Sequence, residues 1–341
     1  MGLILGALVW VAPASGWAGP PRKAPDEARL REAEALKEES YRVYGEGKYS
    51  EAAKIAEQAC EILREEHGRE SAEAAGCLND LGVIYTRKGA YEKAESLHEE
   101  ALAIRERALG TEHPNIAHSL SSLAALYIEQ GEYGKAAPLS ERALTIREKE
   151  LGPEHPDVAH SLNGLAMLYW KQGDYRKAQP LLERALAVQE KALGFEHAET
   201  ASTLSNLAVL YHEQGKYRKA QSLHERALAI WKKTLGLNHP RVATGLSNLA
   251  ELHTAQGAFE KAESLHKQAL TARESELGRD HPSVATILNN LATLYSAQGE
   301  YEKAKTGLER ALAIFEKTLG PEHFLVSISL GNLAWLQLKL D

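Results

Sequence analysis

A phrase of sixteen residues recurs along the chain at one fixed interval. It reads "NNLATLYSAQGEYEKA" at residues 289–304 and "SNLAVLYHEQGKYRKA" at residues 205–220. A Leu-Gly pair closes each unit, and successive pairs lie 42 residues apart, at positions 109, 151, 193, 235, 277 and 319. A fixed period of this length is typical of chains built from stacked copies of one structural unit. The chain is therefore expected to be a repeat array.

Within one unit the hydrophobic pattern is helical. In "SLSSLAALYIEQG", Leu120, Leu123, Ala124 and Tyr127 follow the i, i+3, i+4, i+7 spacing of a single apolar stripe. A glycine ends this helix, and "EYGKAAPLSERALTIREKELG" gives a second helix that also ends at a glycine. Pro156 then opens the next helix at a first-turn position, where its missing N–H costs nothing. Each unit is predicted to be two antiparallel helices, A and then B.

One helix pair cannot bury its apolar stripe alone, so neighbouring pairs must stack into a solenoid. The residue set Leu-Ala-x-x-Tyr, Gly-x-Tyr-x-x-Ala and Ala-Leu resembles the tetratricopeptide repeat. The 42-residue interval and the "LGxxHP" linker resemble the kinesin light chain subclass of that family. The resemblance covers roughly residues 26–341. It implies an all-α fold, a right-handed α-α superhelix of stacked antiparallel helix pairs.

The first 25 residues differ in composition from the rest. Residues 1–18 carry no charged side chain, and their apolar run is too short to span a bilayer but suits an export signal. The segment lacks a basic start, so a disordered cytosolic leader is the alternative. We expect a signal peptide at 1–18, a short Pro-rich linker at 19–25 and the solenoid at 26–341. The protein is then periplasmic or secreted, and otherwise cytoplasmic; no stable membrane insertion is expected.

The two ends of the solenoid depart from the pattern. The helix at residues 26–45 carries polar residues such as Glu39 where later copies have Leu, as a solvated N-terminal cap requires. The helix at residues 323–340 occupies an A position with no B helix after it. Leu336 is therefore expected to stand against a partner helix that is absent, and Leu338 and Leu340 add apolar surface. The sequence predicts a homodimer contact through this helix.

The A helices are the candidate binding surface. The family resemblance implies that they line the concave face, with the residues 9, 5 and 2 before the repeat tyrosine, and 2 after it, pointing inward. An amide offers both a donor and an acceptor, the pair that bridges an extended peptide backbone. The alternative is that Asn only tolerates a solvated helix face or bonds the neighbouring repeat. The position five residues before the tyrosine is asparagine in the C-terminal half of the chain: Asn206, Asn248, Asn290 and Asn332.

Backbone clamping alone would bind too weakly. Four neutral hydrogen bonds contribute roughly 2–6 kcal/mol, whereas a micromolar complex needs about 8 kcal/mol. Side-chain pockets must supply the rest, and the inward candidates are Val209, Met167, Trp335 and the small Ser202. Trp335 is the expected anchor because a half-exposed indole is a frequent hot spot; alternatively it caps the last helix.

Other kinds of site are not expected. The net charge of −7 argues against a nucleic-acid partner, which needs a basic face. The sequence has no phosphate loop, nucleophile elbow or zinc-protease motif, so no enzyme, catalytic residue or cofactor is predicted. Six histidines recur in the linkers, each in a different loop, and a metal needs three or four converging ligands. These histidines are predicted to cap the following A helix or to fill the turn between repeats.

The two cysteines lie on either side of one predicted turn. Cys60 is eight residues before Gly68 and Cys77 is nine after it, so antiparallel helices would place the two thiols at nearly the same height. A disulfide is one interpretation, and two buried thiols are the other.

Two functions follow from the pattern. The first is a non-enzymatic scaffold that binds an extended peptide segment of a partner protein in the concave groove. The alternative is a structural or self-assembling scaffold that acts through its apolar C-terminal helix, with no ligand in the groove.

Overall fold

The computed structural model describes residues 25–340, and in that range the chain is helical with no strand. Odd-numbered helices are the A helices and even-numbered ones the B helices. The helices are α1 (Glu27–Gly45), α2 (Tyr49–Glu66), α3 (Ala72–Lys88), α4 (Tyr91–Leu109), α5 (Pro114–Glu129), α6 (Tyr133–Leu151), α7 (Pro156–Lys171), α8 (Tyr175–Leu193), α9 (Ala198–Glu213), α10 (Tyr217–Leu235), α11 (Pro240–Ala255), α12 (Phe259–Leu277), α13 (Pro282–Ala297), α14 (Tyr301–Leu319) and α15 (Phe324–Leu340).

The linker histidines cap the A helices, which is one of the two roles that the sequence left open. In each of α5, α7, α9, α11, α13 and α15 the preceding histidine accepts, through Nδ1, the backbone N–H two residues further on; His113 does so with Asn115 at 3.2 Å. A ring nitrogen that accepts carries no hydrogen, so the neutral imidazole holds its proton on Nε2. Each linker therefore presents an N–H donor that points away from its own helix.

The row of A helices lies on the inner side of the array. Each helix packs against the next along the chain, and consecutive A helices from α3 to α13 also touch one another, which consecutive B helices do less. Within a repeat, small residues allow the A and B helices to approach closely, since Ala124 of α5 and Ala136 of α6 are almost completely buried. In a curved stack of two helix rows, the row whose helices are closer together lies on the inner side. The A helices therefore line the concave face, as the resemblance implied.

The curvature brings the first repeats against the last. Helix α2 contacts α14, and Nε2 of His281 lies 3.1 Å from the carbonyl oxygen of Gly45, 236 residues earlier in the chain. We call this contact the seam: residues 45–48 and 87–89 against residues 281–282 and 323. The array thus completes a turn and closes on itself.

Cys60 in α2 and Cys77 in α3 form a disulfide in the structure, with their Cα atoms 5.5 Å apart. Both side chains are buried where the first two repeats pack together. The structure therefore has the bridged arrangement of the two that the sequence left open, and the bridge joins repeats one and two.

The end of the array corrects one expectation. Leu336 does not face an absent helix: it is 1 % exposed and belongs to an apolar cluster with Leu308 and Ala304 of α14. The expectation was wrong because the preceding B helix already covers this side of α15. The apolar residues of α15 that solvent reaches are on other faces and include Ile328, Leu330 and Leu338.

Most of the N-terminal predictions concern residues outside the part of the chain that the structure describes. Asp26 caps α1 through its side chain, and the structure describes a helix from Glu27 onward. The predicted signal peptide at 1–18 and all of the predicted linker except Pro25 lie outside the described residues. Of the helices in the described part, none has the length and apolar character needed to cross a membrane.

Three B helices bury a histidine at the position where α8 and α14 have Leu182 and Leu308. They are His98, His224 and His266, each at most 2 % exposed. Burial lowers the pKa of each ring to about 4, because the charged form would have to leave water. The ring of His224 lies 3.5 Å from Ser205 Oγ, on the A helix of its own repeat.

These histidines predict acid sensitivity of the fold. The pKa of His224 is lower in the folded state than the value near 6.5 of an unfolded chain, so its stabilising effect is complete above pH 6.5 and is lost as the pH falls toward 4. A shift of this size corresponds to roughly 3 kcal/mol. Urea denaturation at pH 7 and pH 4.5 should show that H224L, which copies repeats four and seven, loses less stability than the wild type.

H197N, at an exposed linker, is the control for removal of one histidine. Equal loss of unfolding free energy in the wild type and H224L would contradict a buried neutral ring at this position.

Candidate functional site

The concave face carries an apolar pocket between the A helices α7 and α9. Its volume is about 120 Å³. It brings together three residues that the sequence singled out, Met167, Val209 and Asn206. The complete lining is Asn163, Ala166, Met167, Trp170, Leu182, Asn206, Val209 and Leu210. No charged side chain is in this lining, so the pocket suits a neutral apolar group.

Two residues of this pocket escaped the sequence analysis. Asn163 is six residues before its repeat tyrosine, one place outside the positions that the family resemblance gave. Trp170 directly follows the same tyrosine, at a position where no other repeat has tryptophan. That unique indole was the signal in the sequence that could have located the pocket.

A second cavity, of about 350 Å³, lies beside the apolar pocket between α5 and α7. Both cavities are lined by Asn163, Met167 and Asn206, so they are adjacent. Gly164 lines the second cavity, at the position that holds asparagine in later repeats. A Cβ at Gly164 would have no atom within 4 Å. The broken asparagine series therefore creates space in the groove.

Three of the predicted clamp asparagines bond the neighbouring repeat. Each donates one amide N–H to the preceding A helix: Asn206 to Asn163 Oδ1 at 3.1 Å, Asn248 to Ser205 Oγ at 3.2 Å, and Asn290 to Glu251 Oε1 at 2.8 Å. Such bonds correspond to the structural alternative that the sequence left open. An amide also has a second N–H and an oxygen with two lone pairs, so the clamp role stays a prediction. Asn332, on α15, is exposed.

A third cavity, of about 280 Å³, lies between α11 and α13 and is polar. Asn248 and Asn290 line it together with Glu251 and Arg273. Burial, and secondarily Glu213, raises the pKa of Glu251. Arg273 donates to Thr244 Oγ1 at 3.3 Å, and burial lowers its pKa. The groove therefore changes from apolar at α7–α9 to polar at α11–α13, with one charge of each sign.

The two remaining predicted residues lie outside these cavities. Ser202 is half-buried and donates to the carbonyl of Ala198 on its own helix at 3.1 Å. Trp335 is 47 % exposed and meets Tyr301 of α14 edge-on, with ring centroids 6.3 Å apart. The structure therefore does not bring Trp335 to the pocket of Met167 and Val209.

Metal ligands do not converge in the part of the chain that the structure describes. Within residues 25–340, no group of three or more His, Cys, Asp or Glu side chains is placed to hold an ion. Each linker histidine uses Nδ1 for its own helix cap, which occupies the nitrogen nearest the backbone.

Comparison with known families identifies the repeat. A tetratricopeptide repeat model matches residues 44–107, 73–149, 123–191, 199–275, 242–317 and 283–341, and a second tetratricopeptide repeat model matches residues 163–221. The matches together cover nearly all of the described chain. Comparison with curated proteins gives no match.

Solved structures agree with this result. The nearly identical TPR-like repeats of a Podosopora anserina protein assigned as a kinesin light chain are 33% identical, with a TM-score of 0.50 over 60% of this chain and 97% of that one. BtubC (BKLC) from P. vanneervenii is 29% identical, with a TM-score of 0.53 over 74% and 92%. Aspartyl phosphate phosphatase F from Bacillus subtilis, at 17% identity, a TM-score of 0.62 and coverage of 86% and 73%, shares the fold.

Proposed function

The chain belongs to the tetratricopeptide repeat family, and from that premise we propose that it is a non-enzymatic scaffold that binds an extended segment of a partner protein along its concave face. The observation that carries the proposal is the apolar pocket between α7 and α9. It opens onto the inner row of helices, and two amides, of Asn163 and Asn206, stand beside it.

The pocket has the size of one side chain. A cavity of about 150 Å³ lined by apolar residues binds benzene, so 120 Å³ accommodates one aliphatic or small aromatic side chain. Burying such a group contributes about 1.5–3 kcal/mol, which adds to the backbone hydrogen bonds. Because Met167 is 39 % exposed, part of this lining faces solvent when no ligand is bound.

The neighbouring cavities favour an extended occupant. The cavity beside Gly164 adjoins the pocket on the side of α5, and the polar cavity of Asn248 and Asn290 lies two repeats away on the same helix row. A single small molecule would fill one of these spaces only. A peptide can place successive side chains in them while the amides pair with its backbone.

The test is selection of peptides from a random library on the full chain, followed by measured affinities. Peptides with one medium-sized apolar residue should be enriched. V209E should lower the affinity of these peptides at least tenfold, because a carboxylate in this pocket would have no partner. The matched control is L237E, since Leu237 is 67 % exposed on a linker away from the A-helix row. No enrichment, or equal binding by the wild type and V209E, would refute the proposal.

A second candidate function is self-association through α15. Its apolar residues Ile328, Leu330 and Leu338 are 49 %, 49 % and 77 % exposed, and a second copy of the chain could bury them. We propose this homodimer contact as the alternative to peptide binding.

Light scattering of the wild type at increasing concentration should show a dimer that L338E abolishes, because a carboxylate cannot be buried in an apolar contact. A monomer at every concentration would exclude this assembly and leave the groove proposal unaffected.

A further inference from the structure

The linker histidines and turn glycines of the seam are more closely packed than the equivalent residues elsewhere in the array. His281 and His323 are 7 % and 8 % exposed, whereas the four earlier linker histidines are exposed or half-exposed. The turn glycines show the same contrast. A Cβ at Gly47 would lie 2.6 Å from Pro282, and one at Gly89 would lie 3.2 Å from His323. At the equivalent turns a Cβ would meet nothing within 4 Å: Gly131, Gly173, Gly215, Gly257 and Gly299.

The same type of contact occurs twice in the seam. His281 accepts the N–H of Ser283 at Nδ1 and so donates its Nε2–H to the carbonyl of Gly45, the last residue of α1. The final carbonyls of a helix have no partner within the helix, so the histidine satisfies one of them. His323 is packed against the end of α3 in the corresponding place, where a Cβ at Gly89 would lie 3.2 Å from its ring. The cap bond accepted at Nδ1 requires a neutral imidazole, whereas the Nε2–H donor is present in both the neutral and the protonated ring.

Protonation would break this arrangement. A second ring proton would sit on Nδ1 and face the N–H that caps the helix, at 3.1 Å in His281. The new charge would also be buried in the seam. Burial lowers the pKa of His281, and Arg273 lowers it further against the opposing effect of the Gly45 carbonyl. Burial likewise lowers the pKa of His323, opposed by the Arg87 backbone.

Of the three carboxylates that line the cavity beside His281, Glu46 and Asp280 are in ion pairs and only Glu51 is outside the ion pairs of the described residues. Lys317 pairs with Asp280 at 2.5 Å, and Lys48 and Arg42 both pair with Glu46. The cavity beside His281, of about 850 Å³, has the following charged lining: Glu46, Lys48, Glu51, Arg279, Asp280 and Lys317. His323 lies beside Arg87 at the end of α3. Acids and bases are equal in number in the lining beside His281.

We propose that the seam is a latch, held by neutral His281 and His323, that joins the two edges of the array across one superhelical turn and opens when these imidazoles are protonated. The closed-state pKa values lie below those of the open state, so the latch is fully held above the ordinary imidazole range near pH 6.5 and released as the pH falls below it. An open seam would admit a partner segment from the side, and a closed one would restrict entry to the two ends. This consequence rests on the proposed function, whereas the latch itself does not.

The variants that test the latch keep the helix caps. In the double variant H281N/H323N, asparagine retains a side-chain acceptor for the cap but loses the Nε2–H that reaches the opposite carbonyl. The matched control is H155N/H197N, which makes the same change at two linkers outside the seam. A second pair varies the other side: G47L inserts a side chain against Pro282, and G131L places the same residue at an open turn of the same φ, 76°.

Small-angle X-ray scattering of the full chain measures closure directly and needs no ligand. The wild type and both controls should be compact at pH 7.5 and expand at pH 5, with unchanged helical circular dichroism. H281N/H323N and G47L should be expanded at both pH values. Identical scattering of these variants and their controls, or a wild type that does not respond to pH, would overturn the latch. Peptide binding at Val209 could survive that result, so the two proposals fail separately.

Discussion

The burial of each helix pair against the next is the interaction on which the structure depends. An A helix has small residues, such as Ala124 and Ala166, where another helix crosses it closely, and their complete burial requires the neighbouring repeat. Because the A helices approach one another more closely than the B helices do, the stack must curve. The curvature produces both the concave face and, after one turn, the seam.

The residues packed between successive repeats differ from one pair of repeats to the next, and many of them are polar. The repeat tyrosines donate across the contact between two repeats, as Tyr127 does to Glu95 at 2.6 Å. Arg105 and Arg147, both 8 % exposed, donate to the buried hydroxyls of Ser119 and Ser161. At the equivalent place in the fifth B helix, Trp231 packs on Gly245, where a Cβ would lie 3.1 Å from the indole. At this position, the B-helix residue and the A-helix residue of the next repeat therefore vary together.

The sequence predicted the helices and their stacking because each unit repeats the same periodicity and the same glycine and proline signals. Helix caps were one of the two roles that it offered for the linker histidines, and it singled out Met167, Val209 and Asn206, which line one pocket. It missed Asn163 and Trp170 because the inward positions came from a family pattern, which does not describe how Gly164 opens space beside them. The seam could not be predicted, since the contact of His281 with Gly45 depends on curvature summed over six repeats. The burial of Leu336 was misjudged because sequence position does not show which side α14 covers.

The central claim is that the inner row of A helices, and not the B helices or linkers, receives the partner segment. Hydrogen–deuterium exchange of the full chain with and without a selected peptide tests it most directly. Slower exchange should be greatest in the A helices α7 and α9, where the peptide covers Met167 and Val209, and the B helices α10 and α12, which do not line the pocket, should be unchanged. Slower exchange in the B helices or linkers, with the A helices unaffected, would contradict it.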